Sequence, residues 1–271
     1  MTGRCALRVW PAGPFAIGLI AAGLAWGEAT PDRPAIPAEQ RRPGTEFLLP
    51  ETRAMQDDDM ANPGMLFVAK GAELWRRAAG RTGQSCALCH GDAAGTMKGV
   101  AVRYPEVDAG TGKLLNLEQR IQHCRAERQQ ATPLAYESDD LLALTAYVAH
   151  QSRGLPIVVR VDGPAKPYFE AGRALYTTRQ GQLNLACAQC HDENWGKRLL
   201  GETISQGQPT GYPIYRLEWQ GIGSLHRRLR SCLVGVRAEP FAPGAAEYVA
   251  LELYLMWRAQ GLRSETPAIR R

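Results

Sequence analysis

Beyond residue 27 this chain of 271 residues has no apolar run long enough to span a bilayer, which argues against a membrane-embedded body. It also lacks any Lys/Arg-rich tract with interleaved aromatics, so nothing points to nucleic acid as a partner. No βαβ pattern surrounds its paired cysteines, which removes a thioredoxin-like redox module. Methionine is scarce, with six in the chain, and none past the two cysteine motifs stands at equivalent places in both halves.

What is present begins with an export signal. Arg4 and Arg8 precede a mostly apolar stretch, Val9 to Trp26, broken by Pro11 and Pro14 and ending in small residues around Ala25 and Gly27. The mature chain is expected to start near Glu28. Loss of those two arginines lowers the formal charge from +5 to +3, so the product is mildly basic. It is expected in an oxidising, extracytoplasmic compartment, the periplasm of a bacterium.

Six cysteines follow the signal: Cys86, Cys89, Cys124, Cys187, Cys190 and Cys232. Four of them form "CALCH" and "CAQCH", each a C-x-x-C-H. In such a motif two thiols form thioethers to a porphyrin while the adjacent histidine, His90 or His191, reaches the iron. A zinc site built from the same four thiolates is disfavoured, because about a hundred residues separate the pairs and the histidine recurs after each. Two covalently bound haem c groups are expected.

The motifs lie in an internal repeat. At an offset of 101, Gly71, Leu74, Gly80, Cys86, Cys89 and His90 fall on Gly172, Leu175, Gly181, Cys187, Cys190 and His191. At 108, Leu117, Arg120, Ile121 and Cys124 fall on Leu225, Arg228, Leu229 and Cys232, and at 107 "DLLALTAYVA" falls on "EYVALELYLM". Each half reads as helix, haem motif, ligand region and closing helix. The predicted fold is mainly α: two tandem class I cytochrome c-like domains, 64–153 and 167–271, joined by a proline-bearing linker, 154–166. An irregular extension, 28–63, precedes them and is expected to pack over the haem domains or a partner.

Each iron needs a second ligand opposite its histidine. Met97 lies too soon after His90, Met256 falls within the closing helix, and His123 and His226 align with Ser231 and Glu118. Only cysteine recurs, which assigns His90/Cys124 and His191/Cys232 as the metal ligands. A Cys124–Cys232 disulfide or a buried inert thiol are the competing readings. Arg228 precedes Cys232 by four residues, as Arg120 precedes Cys124, placing each pair on one helical face. A cation there favours the thiolate, which both ligates iron and attacks sulfur. Arg227, Arg230 and Arg237 read as a solvated face.

The stretches "ETRAMQDDDMANPGMLFVAKGAELW", "RRLRSC" and "ALELYLMWRAQG", together with both haem motifs, resemble the SoxA family. These are the dihaem subunits of the SoxAX cytochromes, L-cysteine S-thiosulfotransferases of bacterial thiosulfate oxidation. The resemblance implies that Cys232 ligates the second haem, is catalytic and is carried as a persulfide. It implies that Cys124 ligates the first haem, and that Arg228 and Arg258 stand beside the active cysteine. The implied reaction couples thiosulfate to a cysteine of the carrier SoxYZ and passes two electrons through haem to cytochrome c, with the monohaem SoxX as the partner chain. A tetrathionate-forming thiosulfate dehydrogenase and a non-catalytic electron-transfer cytochrome are the alternatives.

Overall fold

The computed structural model describes residues 36–271. The export signal and the first residues of the extension lie outside them. The described residues group as one compact unit. The extension carries two short 3-10 turns, Ala38–Gln40 and Gly44–Phe47, and α1 (Pro50–Asp57), a helix started by a proline at its first turn, where a missing N–H costs nothing. It packs on the body rather than standing apart. The amide of Arg42 donates to Gln206 (2.8 Å), Gln206 donates back to the Gln40 carbonyl (2.9 Å), and Asn62 donates to the Pro267 carbonyl (2.9 Å).

The first copy runs α2 (Gly64–Arg76), α3 (Cys86–His90), α4 (Ala93–Thr96), strands β1 (Glu106–Val107) and β2 (Leu114–Leu115), α5 (Leu117–Cys124) and α6 (Asp139–His150). The second runs α7 (Lys166–Thr177), α8 (Cys187–His191), β3 (Arg198–Leu199), β4 (Glu202–Thr203), β5 (Ile214–Arg216), β6 (Gly221–Gly223), α9 (Leu225–Gly235) and α10 (Ala246–Arg258); β7 (Ile269–Arg270) follows. The helices before the motifs form because their apolar residues recur every three or four positions. Val68, Gly71 and Trp75 are buried on α2, and Phe169, Gly172 and Tyr176 on α7.

In each copy the first helix crosses the closing helix at a glycine. A Cβ on Gly71 would meet the Ala143 carbonyl at 2.1 Å, and one on Gly172 would meet the Ala250 carbonyl at 2.1 Å. Only the residue without a side chain lets these backbones approach so closely. Each ligand-region hairpin has the same register, Glu106 opposite Leu115 and Ile214 opposite Gly223, and each follows a cis Tyr-Pro bond, Tyr104–Pro105 and Tyr212–Pro213. In the second copy β7 adds a parallel edge to β5.

The two copies meet through their helix caps. Asn116 caps α5 and also donates to Glu252 of α10 (3.1 Å), while Ser224 caps α9 and donates to Glu137, just ahead of α6. His226 joins this seam, bonded to Glu252 (3.0 Å) and stacked on Tyr136. The predicted linker threads between the halves, with Ile157 and Val159 buried and the Val158 amide on the Val102 carbonyl (2.9 Å).

Candidate active site

His191 ends α8, and its Nδ1 donates to the Ser205 carbonyl (2.8 Å). That bond fixes the tautomer and leaves Nε2 free as a ligand. Gly207, at φ +68°, runs against the ring, where a Cβ would stand 2.9 Å from it. Asp192, the next residue, accepts from the Tyr176 hydroxyl (2.9 Å) and pairs with Arg258. Arg258 is buried over the Tyr176 ring, 4.5 Å from its centroid, and donates to the Gln206 carbonyl (3.1 Å). The structure therefore gives Arg258 partners that tie together the segments on either side of His191.

Cys232 sits on α9, half-buried, with its thiol within hydrogen-bond reach of the His191 ring. Burial pushes this thiol up, but His191, Arg228 and Arg216 together outweigh that and hold it below its ordinary value. A cavity beside it is lined by Leu175, Cys187, Leu229, Leu233, Phe241 and Leu251, an apolar setting. The second copy thus brings Cys187, Cys190, His191 and Cys232 around one space.

The first copy builds the same frame with different charge. Ser85 caps α3, accepting from the Leu88 amide (3.1 Å), and Trp75 donates to the Gly91 carbonyl (3.0 Å). His90 and Cys89 are exposed, while Cys86 is half-buried with Gln129 Nε2 3.8 Å from its sulfur. Cys124 ends α5 within electrostatic range of Cys86 and Cys89. Its thiol is pushed up by burial, which Arg120 and Arg128 oppose and Asp108 reinforces. Arg120 donates to Asp108 (2.6 Å) and to the Tyr104 hydroxyl (3.1 Å). All six described cysteines are free.

The sequence reading missed Arg216, which faces the Cys232 thiol electrostatically, and Asp108, which neutralises Arg120. It also missed the Ser205 carbonyl and the Asp192–Arg258 pair. The Tyr-Pro dipeptide repeats at the same offset of 108 as the cysteines, a signal that would have aligned Asp108 with Arg216.

The donor set fits a covalently attached haem. Two thiols three residues apart lie on one short helix, an imidazole has its Nε2 left free, a soft sulfur lies across from it, and apolar side chains surround them. The family model of the SoxA/TsdA cytochrome c domain matches residues 70–157. The L-cysteine S-thiosulfotransferase subunit SoxA of Pseudaminobacter salicylatoxidans is 43% identical over 235 residues, 86% of this chain and 82% of that protein. The chain belongs to the SoxA family. The SoxA subunit of Paracoccus pantotrophus is 39% identical over 227 residues, 84% of this chain and 78% of that one. The crystal structure of SoxXA from P. pantotrophus superposes with a TM-score of 0.83 at 38% identity, covering 85% of this chain and 87% of that chain. As a cytochrome c domain of this family the chain binds haem c covalently. Among the described residues no helix is long and apolar enough to cross a membrane.

Proposed function

We propose that this chain is the dihaem catalytic subunit of an L-cysteine S-thiosulfotransferase, joining thiosulfate to a cysteine of a SoxYZ carrier in the periplasm. It is supported by the SoxA relatives that bear that activity in their names and by one observation, the Cys232 thiol facing His191 with Arg228 on the same helix face. Residues 64–153 hold one haem through Cys86, Cys89, His90 and Cys124. Residues 167–271 hold the other through Cys187, Cys190, His191 and Cys232. When bound, the haem supplies one-electron redox capacity beside the reacting sulfur.

Arg228 receives the sulfonate end of thiosulfate, and the planar guanidinium grips two of its oxygens. This orients the outer sulfur toward the Cys232 sulfur. A sulfur–sulfur bond between them forms with loss of two electrons, which leave toward a SoxX partner and a cytochrome c acceptor. The carrier thiolate then attacks the outer sulfur of the Cys232 adduct, the Cys232 sulfur departs as thiolate, and the carrier keeps the thiosulfonate. Arg258 serves this site by holding Asp192 and the Gln206 carbonyl, which frame the His191 segment.

The test combines the purified chain and its SoxX partner with carrier, thiosulfate and oxidised cytochrome c, and reads the carrier's mass. A thiosulfonate adduct formed with two cytochromes reduced per adduct is the expected result. Tetrathionate with unmodified carrier would overturn the reading in favour of a thiosulfate dehydrogenase.

A further inference from the structure

The two hairpins that lead into the ligand helices have the same register and follow the same Tyr-Pro dipeptide at an offset of 108, so their residues correspond one to one. Asp108 immediately follows β1, and its counterpart 108 residues on is Arg216, the last residue of β5. One strand end thus carries opposite charges in the two copies.

In the first copy the carboxylate closes the charge of the cysteine's arginine. Asp108 Oδ1 takes Arg120 (2.6 Å), and its other oxygen accepts the Thr111 amide (2.9 Å) and hydroxyl (2.8 Å). The Asp108 side chain is only 11% exposed, so an incoming anion meets a neutral, already satisfied pair. In the second copy Arg228 takes Arg120's place; among the described residues it makes no ion pair and no side-chain hydrogen bond, and Cys232, Tyr212, Glu202 and Glu218 act on it only through space. Arg216 is buried against Trp219, 5.1 Å from the ring centroid, and Arg227 lies over the same ring at 4.1 Å. The Arg216 Nε is buried without a partner. Its acidic neighbours sit toward solvent: Glu218 (2.8 Å) is 53% exposed and Glu202 (3.7 Å) is 44% exposed. Water screens these carboxylates far more than it screens the buried guanidinium.

We propose that Arg216 is a specificity-determining residue of the Cys232 site, supplying with Arg228 the second positive charge that selects a small sulfonate-bearing dianion, and that Asp108 in the equivalent place denies such an anion to Cys124. The identity of that dianion as thiosulfate rests on the function proposed above; the charge selection does not.

The experiment therefore needs no turnover. In the holoprotein, the sulfur on Cys232 is alkylated with anionic iodoacetate and, separately, with neutral iodoacetamide, and the peptide is quantified by mass spectrometry with and without sodium sulfate. Wild type should favour iodoacetate relative to a free cysteine, and sulfate should slow the reaction. Arg216→Gln should lower the iodoacetate-to-iodoacetamide ratio several-fold and remove the sulfate protection, while Arg216→Lys should restore most of both. Glu218→Gln, a change at an exposed side chain that leaves the buried frame alone, should raise the ratio. An unchanged ratio in Arg216→Gln with native haem spectra, or in Glu218→Gln, overturns the proposal. If wild type conjugates no thiosulfate yet shows the ratio and its loss in Arg216→Gln, the function reading fails and the charge selection stands. In an active preparation, Arg216→Gln should raise KM for thiosulfate far more than it lowers kcat.

Discussion

The two copies, α2 to α6 and α7 to α10, repeat a helix crossing at glycine, a C-x-x-C-H helix, a Tyr-Pro hairpin and a capped helix bearing cysteine four residues after arginine. They differ in what surrounds that arginine. Arg120 is spent on Asp108, whereas Arg228 and Arg216 both act on the Cys232 thiol and Arg228 makes no ion pair among the described residues. The histidines differ too: His191 is anchored to a backbone carbonyl, while His90 is exposed. A frame that holds a redox group is therefore separable from the charges that admit a substrate, and one molecule displays both conditions.

The strongest way to break the comparison is at sulfur. We predict that Cys232→Ser lowers carrier conjugation by at least about 10³-fold, since a hydroxyl forms no sulfur–sulfur bond. The haem should remain attached through Cys187 and Cys190, and Cys124→Ser should alter one haem's paramagnetic resonance signals while retaining most activity. Equal losses in the two variants would erase the functional difference between the halves. Next come the arginines. Arg228→Ala should lower kcat/KM for thiosulfate by about 10- to 100-fold, and Arg228→Lys by less because charge survives without the planar grip. Arg120→Ala should instead leave Asp108 without its cation and lower the denaturation midpoint with little change in kcat/KM.

The glycine crossings sharpen the comparison from the side of likeness. Gly71→Ala and Gly172→Ala should each destabilise by about 1–3 kcal/mol in urea unfolding, because both backbones must part by similar amounts. A strong inequality would show that one half carries the stability of the whole. The smallest effect concerns the seam. Burial, reinforced by Glu252 and Glu137, pushes the Glu118 carboxyl up to about 8. Around it stand Asn116, Tyr136 and His226, the last at Glu118's own place in the repeat. A carboxyl raised on folding costs no stability below its ordinary value of 4.5, and its penalty grows as pH rises through about 8. Wild-type stability should thus fall between about pH 5 and pH 8 relative to that of Glu118→Gln, which keeps the uncharged shape. Parallel pH profiles would count against a protonated Glu118.

Much of this was legible along the chain because the decisive spacings are local. C-x-x-C-H lies within one turn and a half of helix, arginine and cysteine four apart share a helix face, and the repeat offsets placed Cys124 on Cys232. The helices before and after each motif followed from their apolar period, as α2, α6, α7 and α10 show. Less legible was whatever depends on register or backbone. The Ser205 carbonyl that orients His191 carries no side-chain signature, and Arg216 reaches the site only because β5 pairs with β6 as it does. Helix α1 escaped notice because eight polar-rich residues show no apolar period; a proline start and the buried Gln56, bonded to the Ile269 amide (3.1 Å), hold it.

The crossed caps at the seam bear on how such a molecule can change over generations. Asn116 secures its own helix and reaches Glu252 of the other half, and Ser224 does the same in return toward Glu137. A substitution at either cap is inherited as a lesion in both copies at once. Among the described residues the strand ends at Asp108 and Arg216 carry no such contact between the copies, whereas each cap at the seam serves both.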